Sequence, residues 1–280
     1  MDEVNAGHLT LNNGSTITLG DGVDDETEIA TWAASEYQVN VLMDFSKRVD
    51  RKFNSTDAEG ITWTAEKWNT LVLPFDITVA DLSKALNYAI VNVINPEATK
   101  IDGSNIEFYG KLTMKGGNGK TDVLAANKPI MVKTAEPVTG VVNFGSRKIV
   151  GATDLSVDAG QGAKFVGTYA TKTVTKDDNE KIWFMTGDYT AWDYIGKTSE
   201  ASWDIVPFEA YIDMNTLSGV RSMTFVLEDI DGSTTAIKSV NADNFSTKLN
   251  GWYTLDGVKL QVAPTQKGVY IKDGKKVVLK

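Results

Sequence analysis

The chain contains no cysteine and a single histidine in 280 residues. Without cysteine there are no disulfides, no thiolate nucleophiles and no thiolate metal sites. His8 alone, near the start of the chain, can assemble neither a Ser-His-Asp triad nor a multi-histidine zinc site. Basic residues are in the minority as well: 28 Lys and Arg against 37 Asp and Glu give a net charge of −9 and a pI near 4.8. No basic stripe exists to neutralise phosphates, which argues against nucleic acid as a partner and against docking on anionic lipid. Every apolar run falls short of the roughly 18 residues a membrane helix needs, so no membrane insertion is expected. Met1-Asp2-Glu3 is acidic, and the residues after it are too polar for the apolar core of a signal peptide. His8-Leu9-Thr10-Leu11 reads as mid-strand. The expectation is therefore a piece cut from a longer, exported protein whose signal peptide lies outside this chain.

What is present belongs to a folded protein: 42% hydrophobic residues, 9% of the chain aromatic. Alternating or apolar runs occur at Tyr37–Phe45, Thr70–Phe75, Ile106–Met114, Pro129–Lys133, Val138–Phe144, Phe165–Tyr169, Ile182–Met185, Pro207–Met214 and Met223–Leu227. Between them sit Asp102-Gly103, Gly160-Gln161-Gly162 and similar turn signals. Short strands separated by turns predict a mainly β protein, an antiparallel β-sandwich of jelly-roll type. One segment differs. Val79, Leu82, Ala85, Leu86, Ala89, Ile90 and Val93 form a helical stripe, with Thr78 and Asp81 as a capping pair and Asn95-Pro96 as the stop. This predicts one amphipathic helix of more than two turns, plugging one end of the sandwich.

Domain boundaries follow from composition. Residues 1–36 read as an N-terminal strand region and 37–228 as the sandwich. Residues 229–244 are polar and turn-rich, the composition of a linker. Residues 245–280 carry two apolar runs, each broken by Asp-Gly at Asp256-Gly257 and Asp273-Gly274. Asp-Gly supplies the positive φ of a two-residue type I′ turn, so each run should fold back as a hairpin. In the first, that turn pairs Leu255 with Val258 and Tyr253 with Leu260.

Candidate chemistry is sparse. Gly116-Gly117-Asn118-Gly119-Lys120-Thr121 resembles a phosphate loop only superficially, because the required earlier glycine is Met114 and Pro129 soon interrupts any following helix. Asp21, Asp24 and Asp25 form the best candidate for an irregular Ca²⁺ site, although acidic loops are usually just solvated. No cofactor is expected, and no pair of carboxylates stands out as a glycosidase pair. The region with the most functional character is Trp183–Trp203, with Trp183, Phe184, Tyr189, Trp192, Tyr194 and Trp203 interleaved with Asp188, Asp193 and Asp204. Aromatic faces beside carboxylates suit a sugar surface. On that reading Tyr189, Trp192, Tyr194, Asp188 and Asp193 form the ligand-binding platform, with Tyr189 and Trp192 the exposed pair. The competing reading, favoured because large aromatics are mostly buried, makes them core residues of adjacent strands.

Three stretches resemble strands of secreted and surface proteins of gut Bacteroides and Prevotella. Trp68-Asn69-Thr70-Leu71-Val72-Leu73-Pro74-Phe75-Asp76 is similar to their WNTLCLPFD-type strand, with Val72 at the frequent cysteine. Ala126-Asn127-Lys128-Pro129-Ile130-Met131-Val132-Lys133 is similar to AxKPYIVK, and Pro207-Phe208-Glu209-Ala210-Tyr211-Ile212 to PFRAYL. The tail, through Gly268-Val269-Tyr270-Ile271 and Lys275–Lys280, resembles a shortened type IX secretion sorting domain. These are strand signatures, so no catalytic residue comes with them. The resemblance implies a secreted or cell-surface module. With no catalytic motif in the chain, the first expectation is a non-enzymatic module, adhesive or glycan-contacting, with glycans or other surface proteins as partners. A glycan-active enzyme or its accessory domain, and a structural spacer, are the alternatives.

Overall fold

The computed structural model describes residues 14–20, 25–35, 37–45, 63–113, 122–186, 191–197 and 201–239, then 252–254, 259–260, 264, 268–272 and 275–279. The chain divides into two units, Met1–Val240 and Asn241–Lys280. The larger one begins with β1 (Thr16–Leu19), α1 (Asp25–Ala33), β2 (Val39–Asp44), β3 (Trp68–Leu71), β4 (Ile77–Thr78), α2 (Val79–Ala85), β5 (Ala89–Ile94), β6 (Lys100–Asp102), β7 (Asn105–Thr113), β8 (Val123–Leu124), β9 (Ile130–Thr134) and β10 (Val141–Arg147). It continues with β11 (Ser156–Gly160), β12 (Ala163–Gly167), β13 (Lys172–Thr175), β14 (Ile182–Met185), β15 (Trp192–Asp193), β16 (Ser202–Ile205), β17 (Ala210–Asp213), β18 (Ser222–Glu228) and β19 (Thr234–Lys238). The protein is mainly β and sandwich-like, as the strand pattern predicts.

The largest sheet runs β19-β18-β7-β5-β9-β3 and is packed on both faces. On one side Leu71, Val91 and Val132 share a core with Ile17, Val41 and Phe144 of the sheet β1-β2-β10 and with Leu82 of α2. On the other, Trp68, Met131 and Phe108 meet Phe165, Trp183 and Ile212 of the sheet β11-β12-β17-β14-β15. This double coverage explains why β3 and β9 are buried at every position: their neighbouring residues face two different cores. A third cluster, including Val174, Phe184, Trp203 and Ile205, lies under the ribbon β13-β16.

Several expectations are corrected. The sheets are not purely antiparallel, because β1 pairs parallel with β2 and β18 parallel with β7. Between β1 and β2 lies α1, a second helix, which buries Ile29 and Trp32. Parallel neighbours need such a crossover. The expected boundary at 36/37 therefore cuts through a β-α-β unit.

The predicted long helix is half helix and half strand. Thr78 Oγ1 accepts from the Asp81 N–H at 3.1 Å, the expected cap. The helix ends at Leu86, where Asn87 and Tyr88 take φ values of 53° and 64°. That left-handed pair turns the chain, and Ala89–Ile94 enters the sheet between β9 and β7. Ile90, Val91, Val93 and Ile94 are β-branched and favour a strand, and periodicity alone does not separate a buried strand from a helix.

The expected linker at 229–244 contains β19, which pairs with β18 from Thr234 to Lys238. Its polar composition is that of an exposed edge strand, with only Ile237 buried among its five residues. The division between units falls after Val240, within the expected 229–244 segment and past this strand.

The C-terminal unit holds β20 (Trp252–Thr254), β21 (Lys259–Leu260), β22 (Gly268–Lys272) and β23 (Lys275–Leu279), ordered β21-β20-β22-β23 in one sheet. Lys272 pairs with Lys275, which leaves the predicted two-residue Asp273-Gly274 connection. The first hairpin differs: Trp252 pairs with Leu260 and Tyr253 with Lys259, one residue out of the expected register. The expected Leu255–Val258 pair lies outside the described residues, and a register shifted by one moves each side chain opposite a different partner.

Candidate functional site

Two of the three resemblance motifs meet at one point. Trp68 opens β3 and Lys133 lies near the end of β9, and the two are direct register partners. They point to the same face, since residues two apart on either strand share it. Lys133 Nζ stands 5.5 Å from the centre of the Trp68 ring. It forms a salt bridge with Asp229, in the turn after β18, and a second with Glu66 Oε2 at 3.6 Å. The Lys133 side chain is 9% exposed, against 20% for Asp229 and 69% for Glu66.

Each acid is fixed by its backbone. Glu66 has φ 61°, a strained value for a residue with a side chain, and its N–H donates to Thr134 O at 2.9 Å. Asp229 Oδ1 accepts from the Ile230 N–H at 2.8 Å, leaving Oδ2 for Lys133. Asp231, the next acid in the turn, is committed to Ser233. The Ser233 hydroxyl and N–H hold its carboxyl below the ordinary value, with the Lys133 charge a smaller contribution.

The same motifs interlock elsewhere through buried polar groups. Thr70 Oγ1 accepts from the Ala210 N–H at 2.9 Å, and the Val72 N–H donates to Phe208 O at 3.0 Å, tying the first motif to the third. Asn127 takes a left-handed φ of 64°. Its Nδ2 donates to Gly151 O at 2.8 Å, and its Oδ1 accepts from the Tyr169 hydroxyl at 2.8 Å. Burial pushes the Tyr169 phenol far above its usual range, so it stays a donor. Lys128 Nζ reaches Asp154 at 3.1 Å and Ser156 O at 3.0 Å.

The aromatic platform is corrected at its centre. Trp192 is fully buried and stacks on Phe225 with ring centres 5.6 Å apart. Tyr194 and Asp193 are buried too, Tyr194 packing on Trp183 at 4.6 Å. Phe184 and Trp203 stack at 5.1 Å in the third cluster. These rings fill the space between sheets, and neither Trp192 nor Tyr194 offers a face to a sugar. Tyr189 and Asp188 lie outside the described residues. So do Asp21 and Asp24, while Asp25 begins α1, a helix start where an acid favours the exposed N–H groups. Among the described residues no group of His, Asp and Glu is arranged to hold a metal ion.

Concave surface lies elsewhere. A cleft of about 580 Å³ is lined by Val93, Ile94, Leu124, Ile130 and Val157, with Asp122, Lys128 and Asp158 adding charge. A smaller one, about 210 Å³, lies between α2, β5 and β7 and includes Ile230. Both are walled mainly by aliphatic side chains.

Sequence reasoning did not find the Lys133 cluster. Its one local signal is a lysine that follows Ile130-Met131-Val132 in a strand buried throughout. Its partners come from a turn read as linker and from Glu66, outside every motif. Comparison of the chain with protein-family models, with curated proteins and with solved structures finds no match.

Proposed function

We propose that the chain is a non-enzymatic module of a secreted or cell-surface protein, a rigid β frame that presents an adhesive surface. The observation supporting this reading is where the motif side chains spend their polar groups. Thr70, Asn127 and Lys133 all bond inward, to Ala210, to Gly151 and Tyr169, and to Asp229. Groups committed to the frame are not offered to a substrate. The contacting surface in this reading is the aliphatic cleft beside Lys128, whose volume of about 580 Å³ is in the usual range for ligand sites. The aromatic segment no longer serves, since its central tryptophan is core.

A glycan array run beside a hydrolysis screen on host and plant polysaccharides tests the proposal. Retention of a glycan without cleavage supports it. Cleavage products overturn it in favour of a glycan-active enzyme. Neither binding nor cleavage overturns the adhesive half and leaves a structural spacer.

A further inference from the structure

We infer that Lys133 and Asp229 are joined by an intramolecular amide, which the folded chain forms on itself. Four features of the site bear on this. The nucleophile is buried: the Lys133 side chain is 9% exposed, and Nζ meets the Asp229 carboxylate. The electrophile is oriented, with Asp229 Oδ1 held by the Ile230 N–H at 2.8 Å and Oδ2 turned to the amine. A second carboxylate, Glu66 Oε2, lies 3.6 Å from the same nitrogen, on a residue held at φ 61°. Backbone strain of that kind persists where the surrounding structure needs the side chain in one place. The Trp68 ring stands over Nζ and keeps water from that side.

An ammonium-carboxylate pair and a neutral amine beside a carboxylic acid contain the same atoms and differ by one proton transfer. It is the neutral pair that reacts. The Nζ lone pair then attacks Asp229 Cγ. Negative charge gathers on Oδ1, where the Ile230 N–H already donates, as an oxyanion donor should. Glu66 takes a proton from the attacking nitrogen and passes one to Oδ2, which leaves as water. One C–N bond forms, one C–O bond breaks and one water is released. No oxidant, cofactor or second substrate is required. The electrophile is Asp229 and not Asp231, because Asp229 is the acid of this turn that pairs with Lys133 Nζ.

The position suits a staple. The two residues are 96 apart in sequence and connect β9 to the turn between β18 and β19, with β5 and β7 between those strands in the sheet. A chain with no cysteine has no disulfide to do this.

The test is the intact mass of the purified full chain under denaturing conditions, followed by tryptic mapping. The expected mass is one water below the sequence mass. Trypsin should fail to cut after Lys133, and the peptide carrying it should emerge joined to the one carrying Asp229. Lys133→Arg and Asp229→Ala should each restore the full sequence mass, and Glu66→Gln should leave a large uncrosslinked fraction. A wild-type chain at its full sequence mass overturns the inference and leaves an ion pair. Loss of water that mild alkali reverses, with no joined peptides, also overturns it, because that is a succinimide at an Asp-Gly step.

Discussion

Lys133 Nζ lies 5.5 Å from the centre of the Trp68 ring, and the two residues face each other directly across β9 and β3. The arrangement joins two motifs that are far apart in the chain and places a nearly buried cation against an aromatic face. Until the amide closes, that cation is compensated by Asp229, so the cluster is assembled by burial, cation–π attraction and an ion pair together.

Removing the lysine should therefore be costly. Lys133→Ala removes the inferred cross-link and is expected to lower stability by about 2–5 kcal/mol in urea unfolding, the range for losing a covalent tie between distant residues. The exposed pair of Lys100 with Glu107, at 3.1 Å, is the comparison. Lys100→Ala should leave the transition almost in place, because water already screens that pair. Similar losses for both would show that the Lys133 site is no more than a surface contact.

Trp192 gives a second test. It stacks on Phe225 in the core between sheets, so Trp192→Ala should cost about 3–5 kcal/mol through the cavity it leaves. Trp192→Phe should recover part of that. An unchanged melting temperature would return Trp192 to the surface and revive the platform.

Close backbone approach predicts a third outcome. A Cβ on Gly167 would lie 2.8 Å from both Cβ and Cγ1 of Val72. Neither group can swing away, since β12 is paired on both sides and Val72 is buried. Gly167→Ala should therefore destabilise by about 1–3 kcal/mol, the usual cost of overpacking. A neutral or stabilising result would mean that β12 and Val72 are further apart than described.

Alkaline pH should unfold the protein in a window set by its tyrosines. Burial, with Asp213 and Asp178 nearby, pushes the Tyr211 phenol from 10.0 up to about 12. The folded state keeps a proton that the unfolded chain loses first. The stability so conferred is full below pH 10.0 and declines as pH rises to about 12. Tyr169, also raised by burial, acts in the same direction. Melting temperature measured against pH should fall across that window, and Tyr211→Phe should make the fall shallower. An identical slope in the variant would exclude Tyr211 as a source.

Much of the frame is legible in the residues, and the failures have physical causes. Ile182–Met185 is β14 as written, and the Met223–Leu227 and Pro129–Lys133 runs lie within one residue of β18 and β9, because each is a short apolar run bounded by turns. The stretch after Leu86 misleads because Ala89, Ile90 and Val93 continue a helical stripe while their sheet neighbours decide otherwise. Asp24-Asp25-Glu26 suggests a loop, yet Asp25 and Glu26 open α1. Asp229 looks like linker because its partner Lys133 is 96 residues away. The site was the least legible part, since it is assembled entirely from such long-range pairs. The aromatic cluster was visible as composition, but only packing tells a buried ring from an exposed one.

The central claim, a module that contacts but does not transform, is tested most directly by release of reducing ends from host and plant polysaccharides incubated with the purified chain. The account predicts release no greater than from the polysaccharide alone. Release that grows with protein concentration and time would contradict it.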